Sequence, residues 1–214
     1  FGSEIRRARL GVEGDIPGGF GYKFELDFAG NEVEIADAVL TYGSGGLTIS
    51  AGQHNNFQGL EELTSSRFIT TMERAAFTDA FGFERRVGLS AQYAASDWLV
   101  QGGLFTDNVD ALSNENWSAD GRAVFMPRLG ETQLHLGGSV HYADYEGGTT
   151  LRYRQRPFLH FTDDRFVDTG EFGAASEFGL GLETAAIAGP FHAVAEGFWQ
   201  KADRIGALAD PTFF

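Results

Sequence analysis

Two groups of arginines occur at alternate positions in this sequence. They are Arg7 and Arg9 near the start of the chain and Arg152, Arg154 and Arg156 further along it. Because side chains two apart on a β-strand point to the same side, each group predicts a row of guanidinium groups. A guanidinium offers a fixed fork of N–H donors that suits small oxyanions, and a row of cations lowers the entry barrier for an anion. The arginines therefore predict contacts with anions.

Both groups also have an interpretation that involves no ligand. Arg7 and Arg9 share their face with Glu13, so they can be wall charges paired with Glu13 or with Glu25. The second group can be a solvated stripe on a loop, where surface charges contribute little. The sequence leaves these alternatives open.

Residues for catalysis or metal binding are not arranged in a recognisable way. His135, Ser139 and His141 share a strand face, but no nucleophile elbow and no orienting acid accompany them. The chain has no cysteine, which excludes disulfides, zinc–thiolate sites and thiol catalysis. The aspartates of a long loop lack the glycine-bearing signature of a calcium loop. We therefore expect neither an enzyme nor a bound metal or other cofactor.

The elements that position the arginines are predicted to be strands. Between Phe20 and Phe28, apolar residues alternate with small or charged ones, which predicts a strand with one apolar and one polar face. In a later strand the same rule places Ala36 on the apolar side with Leu40 and Tyr42. The predicted strands, about ten in number, are 4–14, 20–29, 33–42, 47–53, 85–94, 98–106, 119–126, 132–143, 176–187 and 191–200.

The connections between these strands alternate in length. Short turns alternate with long loops at 54–84, 107–118 and 144–174, although the connection at 30–32 is shorter than the pattern requires. Short turns at one end, long loops at the other and aromatics near the strand ends are typical of an outer-membrane barrel. A soluble β-sandwich, or a mixed fold with helix in 54–84, remains an alternative on these observations.

Charge and length restrict the possible partners. The chain has 214 residues and a formal net charge of −14, so binding to nucleic acid is not expected. Mean hydropathy is −0.18, and no run approaches the ~20 apolar residues of a membrane helix. The chain begins within a predicted strand, so we expect a fragment of a longer protein.

Several strings in order resemble the phosphate-selective porin O and P family. They are RRARLGVEG, GYKFELDFAGN, ADAVLTY and GLEELTSSRFITTMERA, followed by RYRQRPF and GPFHAVAEGFWQ. The resemblance implies an antiparallel transmembrane β-barrel of roughly sixteen strands, typically a homotrimer in the outer membrane of Gram-negative bacteria. Residues 1–214 would then be a single, partial porin barrel domain, with further N-terminal and C-terminal strands outside it.

The resemblance also assigns a role to 54–84. In porins such a loop folds into the barrel and narrows it, and here it would contain a short helix around Thr70 to Ala76. The resemblance places Ser65, Ser66, Arg67 and Arg74 at or near this constriction, where hydroxyl and guanidinium groups suit an anion that sheds water. It also matches Arg7 and Arg9 to the arginine-bearing strand of the lumen.

The same residues also have structural explanations. T-S-S can begin a short helix, and Arg74 can form an ion pair with Glu73 that holds the loop. Neither explanation requires a bound anion.

Two positions depart from the family pattern. Phosphate-selective members carry a lysine where this chain has Glu62, and an aspartate at the position aligned with Ala36. A reversed charge at the narrowest point alters selectivity. The expected function is passive diffusion of small anions such as phosphate, polyphosphate or chloride. The alternatives are a general or weakly cation-selective porin and, from another class, a soluble β-sandwich binding module.

Overall fold

The fold is that of a computed structural model, which describes residues 3–30, 32–112, 115–158, 162–206 and 208–214. Regular structure in these residues is dominated by strands, and each strand pairs antiparallel with its neighbours. The all-β, antiparallel prediction is confirmed. Within the same residues, the helices are too short and too polar to cross a bilayer.

Fourteen strands are assigned in the described residues, and ten of them have at least eight residues. They are β1 (Arg9–Ile16), β2 (Phe20–Asp27), β3 (Glu34–Ser44), β4 (Leu47–Asn55), β5 (Arg85–Ala95), β6 (Trp98–Phe105), β7 (Asn116–Phe125), β8 (Arg128–Leu129), β9 (Thr132–Leu151), β10 (Arg154–Gln155), β11 (Val167–Asp168), β12 (Phe172–Ala188), β13 (Phe191–Arg204) and β14 (Thr212–Phe213). The ten long strands correspond to the ten predicted ones. However, β1 begins at Arg9, so Arg7 precedes the first strand, and β9 and β12 extend well beyond their predicted ends.

The strands form one continuous meander. Their order across the sheet is β1 to β7, then β9, β12, β13 and β14, with β8 beside β9 and a separate β10–β11 pair. Because each strand reverses direction, successive connections lie at opposite ends of the sheet. The short turns (17–19, 45–46, 96–97, 126–131 and 189–190) therefore share one end, and the longer loops (56–84, 106–115 and 152–171) share the other. One continuous sheet is not the pair of packed sheets that the β-sandwich alternative requires.

The two faces of this sheet differ as the alternation predicts. Apolar side chains of the outer face are exposed, for example Phe20, Phe24, Leu40 and Leu104. Inward side chains are charged or polar and far less exposed. Ala36 is an exception: it is buried, because a β-bulge between β2 and β3 makes it the extra residue opposite Glu25 and Leu26. Its predicted place on the apolar outer face is therefore wrong.

The segment 56–84 carries two short helices, α1 (Leu60–Leu63) and α2 (Ala76–Ala80). The expected helix at Thr70 to Ala76 is wrong, since it starts at Ala76 instead. T-S-S does not begin a helix either: Thr64 is the extended residue that ends α1, with its N–H bonded to the Leu60 carbonyl. Aromatic packing of Phe77 and Phe83 on Phe198 of β13 holds the segment against the inner face.

The sheet is open between β1 and β14 in the described residues. The strand number of a closed barrel therefore stays a prediction. The same holds for the single partial domain spanning 1–214.

Candidate functional site

A cavity of about 760 Å³ lies between the inner face of β1 to β5 and the segment 56–84. We call it the large cavity. Six cationic and four acidic side chains line it. The cations are Arg7, Arg9, Lys23, Arg67, Arg74 and Arg85, and the acids are Glu13, Glu25, Asp37 and Glu62. The lining thus has an excess of cations, although the chain as a whole carries −14.

A second cavity of about 180 Å³, the small cavity, lies beside the first. Its lining includes Arg6, Glu73, α2 and part of residues 155–158. Three residues, Arg7, Glu62 and Arg74, line both cavities. They therefore lie at the boundary between the two cavities, and we call these three residues the neck.

Arg7 and Arg9 differ in their pairing. Arg9 donates to Asp27 at 2.9 Å and to Glu25 at 3.2 Å, so the predicted partner Glu25 is found. The Arg7 guanidinium makes no ion pair or side-chain hydrogen bond within the described residues. Burial and the neighbouring cation Arg6 lower the pKa of Arg7. Arg7 is thus a partly desolvated cation whose N–H groups are available to the cavities.

Arg74 organises the loop. Its guanidinium donates to the backbone carbonyls of Glu61, Glu62 and Thr64 at 2.9 to 3.1 Å. Its Nε also lies 3.4 Å from Glu62 Oε2. The expected partner Glu73 instead binds Arg6. Arg74 therefore has a structural role in addition to lining the neck.

Glu62 lies on α1 with its side chain 7% exposed. Burial raises the pKa of its carboxyl to about 7, even though Arg74, Arg85 and Arg7 each act to lower it. Because Glu62 lines both cavities, a change in its charge alters the electrostatic potential in each of them.

The remaining loop residues of the predicted site lie on the large cavity. Ser65, Ser66 and Arg67 all line it. The Ser65 hydroxyl accepts only a long 3.5 Å bond from the Arg67 N–H. The Arg67 guanidinium lies 5.5 Å from the centre of the Phe68 ring and makes no ion pair in the described part of the chain. These hydroxyl and guanidinium groups are therefore available to bind a solute in the large cavity.

Arg152 and Arg154 lie apart from these residues. Arg152 forms a bidentate pair with Asp168 on β11, at 2.8 Å from Nε, and both side chains are exposed. Neither Arg152 nor Arg154 lines the large or the small cavity, whereas Arg156 lines the small one. A role for Arg152 and Arg154 along the path stays a prediction.

Two residues of the site, Arg85 and Glu196, were not predicted from the sequence. Arg85, the first residue of β5, donates to Asp37 at 2.8 Å, and Lys23 reaches the same carboxylate at 2.6 Å. In addition, Glu196 of β13 accepts from the N–H groups of Leu60 and Glu61 at 2.7 and 2.9 Å, which replaces a side-chain N-cap for α1. The sequence feature that could have indicated Glu196 is its inward position on a strand.

The charged side chains on the inner face of β7, β9 and β12 pair with one another and are mostly buried. Arg122 and Glu183 form a salt bridge of 2.5 Å with side chains 5% and 2% exposed, and His135 also contacts Glu183. Nearby, the two ring nitrogens of His141 lie 2.8 Å from Asp120 and 3.1 Å from Glu177. We call these residues the dry wall, because they are bonded to one another and all but the partly buried His135 are buried.

The dry wall also explains the histidines that share a strand face. His135 and His141 bind carboxylates, and in the described residues neither forms a hydrogen bond with Ser139, so the strand face forms an ion-pair framework. In the described ranges, no group of three or more acidic or histidine side chains is arranged to hold a metal ion.

Comparison with known proteins gives a family and a relative. The family model described as "Phosphate-selective porin O and P" matches residues 1–213. A protein of Caulobacter vibrioides (strain ATCC 19089 / CIP 103742 / CB 15), described as "Uncharacterized protein", is 45% identical over 227 residues. That alignment covers 100% of this chain and 46% of the relative, so the chain spans about half the length of the protein that it matches.

Proposed function

Since the chain belongs to the phosphate-selective porin O and P family, a family of outer-membrane porins, we propose that the protein is a passive channel for small anions. The anions we expect are phosphate, polyphosphate and chloride. Family membership points to a channel rather than an enzyme. In this proposal the exposed apolar face contacts outer-membrane lipid, and the protein assembles as a homotrimer.

The observation that carries the proposal is the lining of the large cavity. Its cations outnumber its acids by six to four in a strongly acidic chain. A passage with an excess of cations concentrates anions and excludes cations. Acidic residues elsewhere on the molecule affect this passage less, because salt screens exposed charges beyond about 8 Å.

The neck supplies partners for an anion that loses water. Arg7 keeps its N–H donors unpaired within the described residues, and Arg67 and the two serines lie on the same cavity. A guanidinium fork and compact hydroxyls can replace part of the hydration of phosphate or chloride. Because several weak contacts replace one strong site, an anion can enter and leave rapidly.

A second candidate function is a general or weakly cation-selective porin. It is favoured by Glu62 at the neck and by the acids that pair with Arg9, Lys23 and Arg85. In this case the paired cations would contribute little positive potential to the large cavity, and the negative charge of an ionised Glu62 would offset the positive charge of Arg7.

The test is the reversal potential of the full-length protein in a planar bilayer under a KCl gradient, repeated with phosphate added. Chloride preference, with conductance reduced by phosphate, supports the anion channel. Chloride preference without an effect of phosphate supports a general anion porin. A preference for potassium supports the second candidate and contradicts the first.

A further inference from the structure

We propose that Glu62 sets the ion preference of the neck by gaining or losing a proton. The uncharged acid leaves the neck strongly anion-preferring, and the ionised acid weakens that preference. This inference rests on the proposed channel function and names how the same site is regulated.

The first argument is position. Glu62 lines both cavities together with Arg7 and Arg74, so its charge acts on an ion in either cavity. Each of the other acids in these two linings belongs to one cavity only. Glu13, Glu25 and Asp37 line the large cavity, and Glu73 and Asp79 line the small one. Glu62 is therefore the acid that the linings of the large and the small cavity share.

The second argument is hydrogen bonding. No N–H or O–H group in the described residues donates to the Glu62 carboxyl. Its nearest cation, Arg74, lies 3.4 Å from Glu62 Oε2 but directs its hydrogen bonds to three backbone carbonyls. By contrast, Glu61 on the same helix accepts from the Ala75 N–H at 2.7 Å. A buried carboxylate without donors is costly, so protonation competes with ionisation.

The third argument is the charge of the surroundings. The cations that act on Glu62 most strongly come from four elements: Arg74 from the loop, Arg85 from β5, Arg7 from the N-terminal segment and Arg9 from β1. Burial outweighs their attraction and brings the pKa of Glu62 to about 7. Other charged or titratable groups that line the same cavities are Arg6, Glu73, Asp79 and Arg156 on one side and Glu13, Lys23, Glu25, Asp37, His54 and Arg67 on the other.

His54 is the competing source of any pH dependence. Histidine ordinarily titrates in the same range, and His54 lies on the large cavity. Its ring nitrogens contact the Gly52 carbonyl at 2.9 Å and the Ser90 hydroxyl at 2.7 Å. It does not line the small cavity, so protonated His54 would add charge to the large cavity and not to the neck.

The experiment compares full-length wild type with Glu62→Gln, Glu13→Gln and His54→Gln in planar bilayers. Reversal potentials are measured under a KCl gradient from about pH 5 to about pH 9. Glu13→Gln is the matched control, because it removes the same charge from the large cavity away from the neck. Heat-modifiable migration in unheated gels verifies that each variant is folded.

We expect the wild-type chloride preference to fall several-fold with rising pH, with a midpoint near 7. Glu62→Gln should show, at every pH, the high chloride preference that the wild type shows at low pH. Glu13→Gln and His54→Gln should retain the wild-type pH dependence. A wild type without pH dependence, a Glu62→Gln variant that follows the wild type, or a flat response of His54→Gln overturns the inference. If Glu62→Gln itself prefers potassium at every pH, the proposed anion channel fails as well.

Discussion

The two halves of the inner face use similar side chains for different purposes. On β1 to β5, arginines and acids surround a cavity of about 760 Å³ and keep part of their surface open to it. On β7, β9 and β12, the dry wall packs its charges against one another and buries them almost completely. The first arrangement can act on a solute, and the second can only stabilise the wall.

The difference shows what decides the role of an inward charge. Strand alternation places a charge on the inner face, but the segment 56–84 decides which charges remain accessible. Asn56 and Gln58 at its start donate to Asp120 of the dry wall at 3.4 and 3.2 Å. The loop is therefore anchored on one wall and forms the large cavity against the other.

The largest effect is expected from breaking the dry wall. Glu183→Ala leaves Arg122 buried without its carboxylate, which should reduce the free energy of unfolding by about 3–5 kcal/mol. Glu13→Ala, in the open wall, should change it by about 0–1 kcal/mol. Urea unfolding followed by tryptophan fluorescence measures both. Equal losses would remove the distinction between the two walls.

A double variant sharpens this prediction. Replacing both buried partners, Arg122→Met with Glu183→Leu, removes the unpaired charge and should restore most of the stability lost in Glu183→Ala. The same unfolding measurement applies. A double variant as unstable as Glu183→Ala would mean that packing, and not the unpaired charge, causes the loss.

A somewhat smaller loss, about 2–4 kcal/mol, is expected for His141→Leu. The change leaves Asp120 and Glu177 without the imidazole between them, but Asp120 keeps its bonds from Gln58 and Ser118. The matched change in the open wall, His54→Leu, should cost less. Urea midpoints compare the two, and a larger loss for His54→Leu would contradict the account.

Ion preference should depend on the neck more than on the paired wall charges. Arg7→Gln removes an unpaired cation from the neck and should reduce the chloride preference several-fold. Arg9→Gln removes a cation bonded to Glu25 and Asp27 away from the neck, so its effect should be smaller. Reversal potentials rank the two variants, and the opposite order would contradict the role assigned to the neck.

The smallest effect is expected for Arg152→Ala. Its partner is exposed Asp168, and the Arg152 guanidinium holds the pKa of that carboxyl below its usual range. Because neither residue lines the large or the small cavity, selectivity and unfolding should both stay at wild-type values. Arg154→Ala should give the same result. A shifted reversal potential in either variant would establish these arginines on the permeation path.

The sequence predicted what depends on local alternation. The apolar outer face around Phe20 and Phe24 and the ten long strands follow from a period of two. The family resemblance followed from the strings alone. These features need no knowledge of distant contacts.

What the sequence did not predict depends on contacts between distant residues. The helix α1 is four residues long and is capped by Glu196, 136 positions away from Leu60, so no local signal marks it. Arg85 reaches Asp37 from the end of a strand, where the pleat does not fix its direction. The bulge at Ala36 also depends on contacts between distant residues. So does the difference between the charges that line the large cavity and the buried charges of the dry wall.

The most direct test of the account compares the reversal potentials of two full-length variants under one KCl gradient. They are Arg7→Gln at the neck and the double variant Arg122→Met with Glu183→Leu in the dry wall. The account predicts that Arg7→Gln moves the potential towards zero or towards potassium, and that the double variant keeps the wild-type value. A wild-type potential in Arg7→Gln, with a shifted potential in the double variant, would contradict it.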